Sequence, residues 1–381
     1  MGLAELTRNA TNVLPEGELE RKLALGRPLR VKLGIDVTAP DVTLGNGIPL
    51  QRMRAFQNEG HLGVLIVGDY TTRIGDPSGR SAERPIIAPE VIDANAQRYF
   101  EHASTIIDPD RTELRFNSEW LAKLDFAEIL RLTRTTTVAR LLERDDFAKR
   151  YAAKEPISVS ELLYPLMQAY DSVAVEADVE LGGNDQLFNL LTGREVMRAY
   201  GLAPQVALTV AYLDSWDGTG MSASRGNYVG LKETPEEQFG KAMRIPDTLL
   251  DQWYRLVMER DGAPGGDPLE AKLDLARFIV LRAHGQEAVE AAEAHFTRVV
   301  REGREPEEVP TLPLPDGDPL HLPGILATAF GLSTSEARRL IGDGAVKVDG
   351  EAVRELDVAR SRLENTLVQA GKRRFVRLTP P

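Results

Sequence analysis

The run HLGVLIVGDY, His61–Tyr70, constrains the chain more than any other stretch. Its centre, Leu62–Val67, offers no polar side chain for a solvated face. A strand of this kind is covered on both sides, as in a parallel sheet packed between two helical layers. The flanking segments agree. Residues 28–34 (PLRVKLG), TELRFNS and PQVALTVAYL read as further strands, whereas EVIDANAQRYFEHASTII and ISVSELLYPLMQAYDSVAV read as helices. Strands alternating with helices imply right-handed crossovers, so residues 1–230 are expected to form an α/β domain around a doubly wound parallel sheet.

The chain has 381 residues, more than one typical domain holds. Residues 231–305 lose the strand pattern and are expected as a helical domain, from TPEEQFGKAM to QEAVEAAEAHFTRVVREG. Within it, DGAPGGDP follows no strand and is expected to be a loop. Residues 306–319 form a Pro-rich linker, and 320–381 a small final domain. In that domain Ser333 and Glu336 have capping-box spacing and open a helix carrying Arg338 and Arg339. GAVKVDGE then reads as a strand, a turn at Asp349-Gly350 and a second strand.

Composition removes several classes of function. With no cysteine, the chain has no disulfide, thiolate metal site or cysteine nucleophile. No apolar run approaches bilayer length, and the N-terminus lacks the pattern of a secretory signal, so a cytoplasmic location without membrane contact is expected. A net charge of −12 argues against a protein that coats nucleic acid nonspecifically. From His321 onward, however, ten Lys and Arg face seven Asp and Glu. A basic tail on an acidic body fits an accessory module that touches phosphates.

Two constellations carry chemistry. DVTLGNGIPL, residues 41–50, joins a strand through a glycine-containing turn to a helix N-terminus, where α/β proteins hold phosphate. Farther on, Tyr164, Gln168 and Asp171 fall at i, i+4 and i+7, on one helical face. No G-x-G-x-x-G follows the first strand, which argues against a nicotinamide-dependent dehydrogenase.

Several segments also occur in a telling order: KLGIDVTAPDVTLGN, GDYTTRIGDPSGRSAERP, FNSEWL, LLYPLMQAYDSVAV, VELGGNDQLFNLLTGREVMRAYG and MSASRGNYVGL. Together they resemble the catalytic core of bacterial tyrosyl-tRNA synthetases. STSEARRLIGDGAVKVDGE resembles the S4 RNA-binding domain that such enzymes carry. The resemblance implies a Rossmann-type catalytic domain, a helical domain and an S4-like α+β domain. It implies an AMP-forming ligase that uses ATP with Mg2+ to activate tyrosine, charges tRNA and works as a homodimer. The alternative is a repurposed paralogue that binds or activates a tyrosine-like amino acid without efficient tRNA charging.

The same resemblance assigns roles. Thr38, Thr43, Asn46, Ser222, Ser224 and Arg225 would be catalytic, aimed at the phosphoryl charge. Gly34, Asp36, Gly45, Gly183, Asp185, Gln186 and Met221 would bind the nucleotide. Asp76, Tyr164 and Gln168 would hold the substrate ammonium, Asp171 would accept the phenol hydrogen bond, and Lys32 would lie in the same region, paired with a carboxylate. Arg338, Arg339, Lys347, Lys372, Arg373, Arg374 and Arg377 would contact RNA.

Both class signatures are altered. The first is ordinarily His-x-Gly-His and here is Thr43-Leu-Gly-Asn46, two neutral donors with precedent in Thr-Ile-Gly-Asn of related tryptophanyl-tRNA synthetases. The second is ordinarily Lys-Met-Ser-Lys-Ser and here is Gly220-Met-Ser-Ala-Ser224. Gly220 removes a cation that Arg225 could replace in part, with a fork in place of a point charge.

Overall fold

A computed structural model describes residues 2–37, 41–73, 88–302, 305, 309–371 and 374–380. The chain forms two compact units, Met1–Glu233 with Lys241–Phe278, and Thr234–Gly240 with Ile279–Pro381. Residues 231–305, expected as one helical domain, are thus divided between the units. Among the described residues no helix is long and apolar enough to cross a membrane.

The first unit is built on a six-stranded sheet. Its strands are β1 (Ala10–Leu14), β2 (Arg30–Ile35), β3 (Leu62–Val67), β4 (Thr112–Phe116), β5 (Val179–Gly183) and β6 (Val206–Val210), in the order β1-β6-β5-β2-β3-β4. Strands β2 to β6 pair in parallel, as the apolar runs imply. Edge strand β1 runs antiparallel to β6 and lacked a sequence signal. Thr11 and Asn12 interrupt its apolar residues and it is only partly covered, so no unbroken apolar run marks it.

Helices α1 (Leu44–Asn58), α2 (Pro89–Ala103), α3 (Phe126–Thr133), α4 (Val159–Ala174) and α5 (Leu187–Ala199) accompany the sheet. Strand order reverses between β2 and β5, which opens a crevice at the C-terminal ends of the strands, the usual ligand position in such a sheet. Lys32 on β2 lies in register with Glu180 on β5, and both are fully buried.

Helix α6 (Leu250–Leu256) belongs to the first unit, and most of the second unit follows it in the chain. The elements of the second unit are α7 (Gln286–Phe296), α8 (Leu322–Phe330) and α9 (Thr334–Gly342), with strands β7 (Thr311–Pro313), β8 (Val346–Val348), β9 (Glu351–Ala352), β10 (Leu367–Ala370) and β11 (Arg374–Thr379). The strands form one sheet in the order β9-β8-β10-β11-β7. β7 comes from the segment expected to be a linker, and it pairs in parallel with β11. Leu322, Leu326, Ile341, Val346, Val368 and Leu378 are among the residues filling the core beneath the sheet.

The β8–β9 turn has positive φ at both Asp349 (47°) and Gly350 (87°), the requirement of a type I′ hairpin. At α9 only half of the expected capping box forms. Ser333 Oγ accepts from the Glu336 N–H at 3.2 Å, but the Glu336 carboxylate lies 3.9 Å from Arg374 instead of closing back on the cap.

Candidate active site

The crevice at the strand ends is a cavity of about 530 Å³, walled by the ends of β2, β5 and β6, by the α1 turn and by residues 221–224. Of the residues expected to act there, Gly34, Asp36, Thr43, Gly45, Asn46, Tyr164, Gln168, Asp171, Gly183, Asp185, Gln186, Met221, Ser222 and Ser224 line it. Thr38 and Asp76 lie outside the described residues, as do Lys372 and Arg373.

The first signature turn is a helix cap as well as a cavity wall. Thr43 is the N-cap of α1, and Asn46 closes a reciprocal capping box. Thr43 N–H and Oγ–H donate to Asn46 Oδ1 at 3.0 and 2.8 Å, and Asn46 N–H returns to Thr43 Oγ at 3.2 Å. The Thr43 hydroxyl is therefore committed within the turn. Asn46 Nδ2, without a partner among the described residues, is the donor the pair leaves to the cavity. Gly45 packs against the second turn: a side chain there would begin 3.5 Å from Met221 Cβ, ordinary contact distance, so the two signature turns adjoin.

The second signature turn is tightly bonded. Asp214 and Gly220 form an isolated antiparallel bridge, and Ser222 Oγ lies 3.0 Å from Ser224 Oγ. Arg225 does not line the cavity. Its guanidinium folds back on the carbonyl of Gly220, the position at which the resemblance leads one to expect a lysine.

A chain of hydrogen bonds runs along the other side of the cavity. Trp120 Nε1–H donates to Asp171 Oδ1 at 2.8 Å, and Asn117 Nδ2 lies 3.4 Å from Asp171 Oδ2. Asn117 Nδ2 also donates to Thr71 Oγ (3.1 Å), and Thr71 Oγ–H to Asp36 Oδ1 (3.1 Å). The Tyr164 hydroxyl completes the chain by donating to Asp36 Oδ2 at 2.9 Å. Asp36, expected on the nucleotide, thus stands beside Tyr164, expected on the substrate ammonium. Burial pushes the Asp171 carboxyl up to about 7, although the nearby Lys32 charge and the Trp120 and Asn117 hydrogen bonds favour its ionised form.

Lys32 lies beneath the cavity and does not line it. Its ammonium contacts Glu180 Oε1 (2.9 Å), Ser172 Oγ (2.8 Å) and the Gln168 carbonyl (2.9 Å). Gln168 Nε2 reaches Glu180 Oε1 at 3.1 Å, and Gln205 bonds the same carboxylate. The ion pair ties α4, which carries Tyr164, Gln168 and Asp171, to the centre of the sheet.

Sequence reasoning had assigned no role to Asn117, Trp120, Thr71 or Gly68. A side chain at Gly68 would begin 2.3 Å from Asp36 Oδ1 and 2.4 Å from Thr71 Oγ. Asn117 and Trp120 sit in FNSEWL, the one signal that marked their region.

In the second unit, Arg338 and Arg339 are exposed on α9 and Lys347 is exposed on β8, and none has an ion-pair partner among the described residues. Arg374 faces Glu336, and Arg377 lies 3.8 Å from Glu305.

Known proteins are similar to this chain over nearly its whole length. A tyrosine--tRNA ligase of Moorella thermoacetica is 48% identical over 98% of this chain and 94% of its own length. One of Geobacter sulfurreducens is 46% identical over 99% and 98%. Among solved structures, tyrosyl-tRNA synthetase of Archaeoglobus fulgidus complexed with L-tyrosine shares the fold, with TM-score 0.62 and 22% identity over 76% of this chain and 98% of that one. The family model for tRNA synthetases class I (W and Y) matches residues 24–301, a span that holds the entire cavity. With both signature turns and the α4 triad inside that span, the chain belongs to the class I tRNA synthetases (W and Y).

Proposed function

We propose that this chain is a tyrosine--tRNA ligase, which joins tyrosine to the AMP portion of ATP and passes the tyrosyl group to tRNA. The carrying observation is the α4 triad, with buried Asp171 held by Trp120 at one end of the cavity and both signature turns at its mouth. The substrate carboxylate oxygen bonds to the α-phosphorus of ATP, and the bond from that phosphorus to the bridging oxygen breaks, releasing pyrophosphate. A hydroxyl of the tRNA 3′ end then attacks the carbonyl carbon and AMP departs.

No enzyme group is acylated, so rate comes from positioning and from donors aimed at the phosphoryl charge. Asn46 Nδ2 and the Ser222 and Ser224 hydroxyls are the groups proposed for that charge, with Thr43 holding Asn46; Arg225 joins them by turning from the Gly220 carbonyl toward the cavity. Asp36, Tyr164 and Gln168 take the ammonium. Asp171 accepts the phenol hydrogen bond, and phenylalanine would leave it unpaired, which sets the discrimination. Gly34, with open space where a side chain would start, leaves room for the ligand. Gly183 and Asp185 meet the ribose; a side chain at 183 would begin 3.0 Å from Asp185 Oδ1 and the Tyr212 hydroxyl, so glycine leaves the carboxylate its place. Magnesium accompanies the triphosphate.

Arg338, Arg339, Lys347 and Arg374 are the proposed tRNA contacts, supported by their exposure and by the basic balance of this region. A homodimer completes the reading. Phe126 (73% exposed), Val138 (61%), Tyr151 (67%) and Val159 (74%) crowd one stretch of the first unit, and a second copy would cover them.

Tyrosine-dependent exchange of labelled pyrophosphate into ATP, followed by tRNA charging, tests the function. Exchange with tyrosine but not phenylalanine is expected; no exchange with tyrosine would overturn it.

A further inference from the structure

The residues that follow the second signature hold it in shape and tie it to the first. Asn227 is 4% exposed, and its Oδ1 accepts the Ser222 N–H at 3.0 Å. Its Nδ2 lies within hydrogen-bond reach of both Asp217 carboxylate oxygens (3.1 and 3.0 Å), of Thr219 Oγ (3.0 Å) and of the Gly220 carbonyl (3.3 Å). One buried amide thus spans the whole turn from 217 to 222. The Asp217 carboxyl is held below its ordinary range by the Thr219 N–H and by Asn227, as a shared acceptor should be.

The next residues reach the other turn. The Tyr228 hydroxyl donates to Asp41 Oδ2 at 2.7 Å. Leu44 N–H donates to the Val229 carbonyl and Leu231 N–H to the Val42 carbonyl, each at 2.8 Å. Gly230 bridges Thr43 in antiparallel fashion. The strip 228–231 is therefore stitched along the turn that presents Asn46.

We propose that Asn227 and Tyr228 are positioning residues for adenylate formation: Asn227 presets the 217–222 turn, and Tyr228 locks it to the Thr43–Asn46 turn. The physical reason lies in the glycine at 220. A loop that carries a lysine can be ordered by the phosphate it binds. A loop without that cation has less binding energy with which to order itself, so its backbone and hydroxyl donors act best when already in place. A buried amide with this many partners supplies that order, because breaking the turn leaves several polar groups unpaired.

The proposal rests on the 217–225 loop facing the nucleotide, and the test separates the two ideas. Pyrophosphate exchange and tyrosine KM are measured on the full chain for Asn227→Ala, Tyr228→Phe and Ser222→Ala, together with trypsin cleavage after Arg225. Asn227→Ala is expected to lower kcat about 10²-fold, as misplaced reacting groups do, with tyrosine KM unchanged and faster cleavage at Arg225. Tyr228→Phe is expected to lower kcat about fivefold, the effect of one hydrogen bond, with an unchanged melting temperature. If Asn227→Ala fails to fold, Asp217→Ala at the exposed partner takes its place, with a smaller fall in kcat. Slow Ser222→Ala beside wild-type kcat in the Asn227 (or Asp217) and Tyr228 variants overturns the positioning role alone. Wild-type kcat in all of them overturns the nucleotide-facing loop as well.

Discussion

Trp120 donates its indole N–H to Asp171 Oδ1 at 2.8 Å, and the carboxyl it holds is pushed up to about 7 by burial. In the unfolded chain the same group titrates near 3.8. Between about pH 4 and 7 the folded protein therefore keeps a proton that the unfolded chain has lost. Stability from this site is greatest below that window and falls as pH rises through it. Asp171→Asn should raise the melting temperature at pH 8, with the gain fading toward pH 5, and should cut the preference for tyrosine over phenylalanine by about 10²-fold or more. Tyrosine, by donating to the carboxylate, should release up to about half a proton on binding at pH 7, and more toward pH 6. Calorimetry in buffers of different ionisation enthalpy reads that proton directly, and none released would contradict the contact.

The missing loop cation gives a second expectation. Gly220→Lys should raise kcat for pyrophosphate exchange by about tenfold to 10³-fold, with tyrosine KM little changed. Arg225→Ala should lower kcat by about tenfold, because it removes the one cation the loop retains near residue 220. Steady-state exchange kinetics on the two variants check both signs.

Gly68 should tolerate no side chain. With a Cβ placed 2.3 Å from Asp36 Oδ1, Gly68→Ala must displace the Asp36–Thr71 pair. A rise in tyrosine KM of about tenfold and a loss of about 1–3 kcal/mol in stability are expected, read by exchange kinetics and urea unfolding.

Arg338→Ala and Arg339→Ala should leave pyrophosphate exchange at the wild-type rate and raise KM for tRNA. Each should also reduce the slope of log affinity against log salt by about 1. An effect on exchange would place these residues in the wrong reaction step.

What the sequence disclosed follows from period and adjacency. The apolar run at 61–70 announced a doubly covered strand, and β3 is buried in the parallel sheet. The spacing of Tyr164, Gln168 and Asp171 announced one face of α4, and all three meet in the cavity. Contacts between distant side chains left no such trace. Trp120 meets Asp171 across 51 positions and Tyr228 meets Asp41 across 187, and no repeat in the chain couples them. Lys32 lies between the two cases: its place on β2 and a carboxylate partner were legible, but that the partner is Glu180 on the neighbouring strand is a choice set by sheet register. β7 was hidden because its three residues lie among prolines, and parallel pairing at a sheet edge needs little sequence of its own.

The Lys32–Glu180 pair has a practical consequence for anyone who would retrain this pocket on another amino acid. Buried charges in contact cannot be exchanged independently, since removing one strands the other in an apolar interior. Asp171 feels both of them. Libraries that vary one position at a time will therefore register failures at 32, 171 and 180, whereas productive combinations require at least two of the three to change together. Substrate preference here is inherited as a block, and laboratory evolution will have to move it as one.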